Sequence, residues 1–155
     1  MATKLRCVEL TTESPDSQVS ACAEALTDVA RERGLPSSAR ELKAFVRQAA
    51  ESGSTAHLLL LLDAKGWPAG VCLFHSLREL EGERLWVSEF YIRYDDHAGE
   101  LRAARVMARA LMAWAKAHGS ASLAGAAEKD DIEMRELARL MEMETRRMVL
   151  LSRSF

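Results

Sequence analysis

The junction between residues 85 and 119 constrains the fold most. Leu85–Ile92 (LWVSEFYI) is rich in aromatic and β-branched residues and reads as a strand. A short polar stretch follows. A helical pattern then runs from about Gly99 to His118, with Gly119 where a helix-ending glycine belongs. The inner stripe of this helix is Leu101, Ala104, Ala108, Leu111 and Ala115. Its alanines let the helix lie close against a sheet. Ala121–Ala126 reads as a weaker strand after it. Strand, long helix and strand make a right-handed crossover with parallel strands.

The rest of the chain supplies neighbours for that unit. Leu5–Leu10 reads as a short strand. Ser14 and Pro15 then read as N-cap and first helical residue. Val19, Cys22, Leu26, Val29 and Ala30 recur at helical spacing up to Gly34. Ser38 and Glu41 predict a capping box for a second helix, whose stripe is Leu42, Phe45, Val46 and Ala49. His57–Leu62 is a continuous apolar run between Gly53-Ser54 and Lys65-Gly66, and those turn signals favour a strand. Gly70–Leu77 follows a turn holding Pro68, and Glu81-Gly82 marks the next turn, so three strands form an antiparallel meander. Near the end, Asp131 reads as a cap for a helix carrying Met134, Leu137, Ala138 and Met141, and Thr145–Leu151 reads as a last strand. The expected order is β-α-α-β-β-β-α-β-α-β. This is an α/β chain with a mixed central sheet, helices on both faces and one domain over residues 1–155.

Composition narrows the function. The chain is 48% hydrophobic and 28% charged, with a net charge of −2, so it lacks the basic excess of a general nucleic-acid binder. Its longest apolar run, Leu58–Leu62, is too short to span a bilayer. Cys7, Cys22 and Cys72 form no CxxC pair, and an odd count without a signal peptide fits a reducing cytoplasm. There is no Walker loop, no dinucleotide-binding glycine set and no His/Cys cluster, so phosphoryl, hydride and metal chemistry find no support.

The element order, and the segment Leu85–Gly119 in particular, resembles the GNAT family, the acetyl-CoA-dependent N-acetyltransferases. The apolar-aromatic-apolar triplet Phe90-Tyr91-Ile92 and the helix end Trp114-Ala115 with Gly119 carry the resemblance. Counting back from Gly119, the family's phosphate-binding window falls on Gly99-Glu100-Leu101-Arg102-Ala103-Ala104, and a slip of a few residues makes His97-Ala98-Gly99 the core of the loop instead. Only its last alanine keeps the usual pattern, and Asp95, Asp96 and Glu100 add negative charge beside it. A helix N-terminus offers unpaired N–H groups and the positive end of a dipole, which suit a diphosphate.

The resemblance implies that acetyl-CoA is the co-substrate, that no metal is needed, and that a small-molecule or protein amine accepts the acetyl group. It implies cofactor contacts at Tyr91, Ile92, Arg93, Gly99, Arg102, Ala103, Ala104 and Arg105. Arg102 and Arg105 read equally well as part of a solvated stripe with Arg109 and Lys116. Glu89 is the base implied on the strand before the loop; a salt-bridged strand glutamate is the alternative. His75, on the neighbouring strand, is a second base candidate or a satisfied sheet histidine. The family's leaving-group tyrosine and its usual Gly-Phe pair have no counterpart after residue 125. The rival expectation is therefore a non-catalytic GNAT-like module of bacterial or phage type, serving in binding or structure. An apolar exposed edge would support a homodimer.

Overall fold

The computed structural model describes residues 4–94, 96–126 and 132–140. The elements are β1 (Arg6–Glu9), α1 (Asp16–Glu32), α2 (Ala39–Ala49), β2 (Ala56–Leu62), β3 (Pro68–Glu79), β4 (Gly82–Ile92), α3 (His97–Ala117), β5 (Ser122–Gly125) and α4 (Ile132–Leu140). The sheet order is β1-β2-β3-β4-β5. The first three junctions are antiparallel and β4–β5 is parallel, so the sheet is mixed and the β4–α3–β5 unit is a parallel crossover. Asp131, Met141 and the expected strand at Thr145–Leu151 lie outside the described residues.

The leucine run explains how two helical layers share one sheet. Along β2, Leu58, Leu60 and Leu62 join the cluster with Val19, Cys22, Leu26 and Val29 of α1 and Val46 of α2. Leu59 and Leu61 point the other way, into the cluster with Met107, Leu111 and Trp114 of α3 and Leu137 of α4. A strand buried on both faces carries no polar alternation, which is why the run is apolar throughout. Burying one leucine side chain contributes about 1.5–3 kcal/mol. Of the expected α3 stripe, Ala104, Ala108 and Leu111 are buried and Leu101 and Ala115 are half-buried, while Ala103, Met107 and Trp114 complete the buried face.

Local chemistry fixes the helix ends. Ser38 Oγ accepts from the Glu41 N–H at 3.1 Å and Glu41 accepts from the Ser38 N–H at 3.3 Å, which is the expected capping box. The start of α1 differs from expectation. Pro15 is the N-cap, and the Ser14 hydroxyl accepts from the Thr11 N–H at 2.8 Å instead. Because Pro15 stands at the cap itself, the helix begins one residue later, at Asp16. At the other end of α1, Leu35 N–H bonds the Ala30 carbonyl and Gly34 N–H bonds the Arg31 carbonyl, a Schellman motif. Gly34 has φ +64°, which is why glycine ends this helix.

The β3–β4 hairpin is longer than its apolar pattern. Pairing continues to Glu79↔Gly82, leaving Leu80 fully exposed at the tip. Backbone pairing carries a hairpin past the point where side chains stop packing, so the hydrophobic pattern underestimates it. The cysteines are free, and burial pushes the Cys7 and Cys22 thiols up to about 12. Such thiols pack rather than react.

Candidate active site

β4 changes character halfway along. Leu85 and Val87 face the α3 layer, and strict alternation would send residue 89 there too. The register prevents this. Phe74 lies opposite Val87 and Leu73 lies opposite Glu89, so Ser88 is an extra residue in a β-bulge. The bulge reverses parity. Phe90 and Ile92 now fill the α3 layer, while Glu89 and Tyr91 turn toward the α1 face. A carboxylate is thereby kept out of an apolar core, where ionising it would be strongly unfavourable.

The partnership with β5 ends at the same place. β4 and β5 pair from Arg84↔Ser122 to Val87↔Gly125. A Cβ on Gly125 would lie 2.9 Å from Met134 Cε and 3.2 Å from the Val87 carbonyl, so the closed half is tightly packed. Past Val87, no strand among the described residues pairs with that edge of β4. The Arg93 N–H bonds the Ala69 carbonyl at 2.8 Å, toward β3. By the alternation of an antiparallel ladder, the main-chain groups of Phe90 and Ile92 face the opposite, open edge.

Glu89 meets a cation from α1. Its Oε2 lies 2.8 Å from Arg33 Nη2, with side-chain exposures of 18% for Glu89 and 46% for Arg33. Farther along this face, Arg93 pairs with Glu24 at 3.0 Å and Asp28 at 3.5 Å, and the Glu24 hydrogen bond raises its guanidinium pKa further. Arg93, Glu24, Asp28 and Lys43 line a groove of about 490 Å³ beside α1. His75 is half-buried on β3 opposite Trp86, nearer the hairpin than Leu73, which faces Glu89.

The N-terminus of α3 lies two residues earlier than counting back from Gly119 implies. Its first-turn N–H groups belong to His97, Ala98 and Gly99, while Ala103 and Ala104 lie a turn further on, packed in the core. Asp96 is the N-cap, and its Oδ1 accepts from the Gly99 N–H at 2.6 Å. The expected corner of open donors is therefore partly filled by a carboxylate. A Cβ on Gly99 would stand 2.7 Å from Tyr94 Cδ1, so glycine leaves room for that ring. The Tyr94 phenol is raised, first by burial and then by the Asp63 charge. Arg102 and Arg105 are exposed, and neither makes an ion pair with a described residue.

Histidines that look scattered in sequence come together at the other end of α3. His118 stacks on Trp114 with centroids 3.7 Å apart, and His57 lies 4.7 Å from the same indole. Trp114 Nε1–H donates to Glu9 at 3.0 Å, and Ser76 Oγ lies 3.2 Å from His57 Nε2. No group of three or more His, Cys, Asp or Glu among the described residues suits a metal ion. No helix among them is long and apolar enough to cross a membrane.

No protein-family model and no curated protein matches the chain. Solved structures do. A probable acetyltransferase aligns with a TM-score of 0.79 at 13% identity, covering 97% of this chain and 99% of its own. The aminoglycoside N-acetyltransferase AAC(6')-Iy in complex with CoA gives 0.76 at 8% identity, over 99% and 97%. The ribosomal-protein-alanine N-acetyltransferase of Brucella melitensis biovar Abortus 2308 gives 0.71 at 17% identity, over 98% and 100%. What the chain shares with them is the GNAT fold.

Proposed function

We propose that this chain, which has the GNAT fold, is an acetyl-CoA-dependent N-acetyltransferase acting as one domain on an amine. The reading rests on the open half of β4. Past Val87 the main-chain groups of Phe90 and Ile92 have no strand partner among the described residues, and Glu89 lies on the same stretch. An extended pantetheine arm carries amides that complement such an edge, as an added strand would. Phe90-Tyr91-Ile92-Arg93 would hold the arm. The first turn of α3, with Gly99, and the cations Arg102 and Arg105 would hold the diphosphate. Ala103 and Ala104 contribute by keeping α3 close to the sheet. The Asp96 carboxylate would give up the Gly99 N–H to a phosphate oxygen.

The chemistry asks little more. A neutral amine attacks the thioester carbonyl, the tetrahedral intermediate collapses, and the thiolate leaves. Glu89, directly or through a water, takes the proton that the amine loses. His75 is the second candidate for that role. The chain has only two tyrosines, Tyr91 and Tyr94, both beside the entry of α3, so the thiolate takes its proton from solvent.

Calorimetric titration with acetyl-CoA, followed by thiol release with a panel of primary amines, tests the reading. One binding site and thiol release above background are expected. No heat and no thermal shift at millimolar ligand would overturn it and leave the fold as a non-catalytic module.

A further inference from the structure

Glu89 carries the base role in the proposed reaction, yet its carboxylate already holds a cation. Arg33 Nη2 stands 2.8 Å from Oε2. Arg33 is not a loosely placed surface side chain at its root. It is the C-cap of α1, with φ −89° and ψ −1°, and the Schellman bonds of Gly34 and Leu35 fix its backbone. Its tip is nearly half exposed, whereas Glu89 is mostly covered. The guanidinium is thus the more exposed partner of a mostly covered carboxylate.

We propose that Arg33 holds the place of the acceptor's ammonium group at Glu89, so that the acceptor arrives as a cationic primary amine and displaces the guanidinium. This rests on the transferase reading and assigns a specificity residue to it. The incoming ammonium replaces one positive charge by another, so the carboxylate is never left unpaired in a partly buried place. The bound ammonium gives its first proton to solvent, the neutral amine attacks, and the carboxylate takes the proton that the nitrogen sheds as the thiolate leaves. Arg33 itself touches no reacting atom; it competes for the site and thereby sets the affinity for the amine.

The test uses n-butylammonium chloride as the cation and 1-butanol as its uncharged counterpart. Both are titrated into the full chain in the presence of CoA, with binding followed by NMR. Wild type should bind the ammonium and not the alcohol, and E89Q should bind neither. Losing a partly exposed competing cation should tighten ammonium binding about threefold in R33Q. R33K, which keeps the cation, should match wild type. So should R109Q, which removes an equal charge from the exposed face of α3.

Equal or weaker ammonium binding by R33Q, or the same gain in R109Q, overturns the proposal. With acetyl-CoA and n-butylamine, R33Q should lower KM and hold kcat. If affinities follow this order but no variant releases thiol, the transferase reading fails and the ammonium site stands. If thiol is released but the order is absent, the reverse holds.

Discussion

The two halves of β4 belong to one strand and do opposite things. From Arg84 to Val87 it is paired on both edges, and a Cβ at residue 125 would crowd Met134 and the Val87 carbonyl. From Ser88 to Ile92 it is paired with β3 alone among the described residues, and Glu89 and Tyr91 face the α1 layer. One inserted residue, Ser88, separates the two regimes. The closed half provides stability, and the open half provides main-chain hydrogen-bonding groups beside a carboxylate. The difference shows how a single bulge reverses the side-chain parity of a strand while its pairing with β3 continues.

If this division is right, substitutions in the two halves should separate stability from binding. Phe74, opposite Val87 and fully buried, belongs to the closed half. Phe74→Ala should lose about 3–5 kcal/mol in urea unfolding. Next in size, Glu89→Gln should slow thiol release about 100-fold, as loss of a general base does, with little change in melting temperature. Comparable damage to stability would move Glu89 into the structural half. Gly125→Ala should destabilise by about 1–2 kcal/mol, because its Cβ would crowd Met134 and the Val87 carbonyl.

A smaller effect belongs to the corner that follows the open half. Asp96→Asn keeps a capping side chain but removes the charge facing a diphosphate. It should tighten CoA binding about two- to fivefold by calorimetry. An unchanged affinity would mean that the diphosphate does not approach the α3 N-terminus.

The smallest effect concerns pH. Burial, ahead of the nearby charges, holds the His57 imidazole below the usual histidine range. The unfolded chain then accepts a proton more readily than the folded one. Stability should be full above about pH 6.5 and should fall as pH drops below it. Urea midpoints between pH 7.5 and 5.5 should show this slope, and His57→Gln should flatten it.

Much of the fold is legible in sequence, because each element announces itself locally. The capping box at Ser38 and Glu41, the glycine at 34 and the leucine run all mean in three dimensions what they mean in one. The site is less legible. The parity break in LWVSEFYI, with Leu85 and Val87 on one side of it and Phe90 and Ile92 on the other, carries the bulge, although strand periodicity alone passes over it. Asp96 is a good capping residue. Of the two registers that the sequence leaves open, the structure agrees with the one centred on His97-Ala98-Gly99, directly after that cap. The pairing of Arg33 with Glu89 joins residues far apart in the chain, and no local pattern encodes it. The same holds for His57 and His118, which meet only because β2 and the end of α3 share Trp114.

The division of β4 is tested most directly at its own amides. Residue-resolved NMR during a CoA titration should shift the N–H resonances of Phe90 and Ile92, with those of Leu85 and Val87 unmoved. Saturation with CoA that leaves Phe90 and Ile92 unchanged, or moves the two halves alike, would contradict an open edge built to receive the ligand.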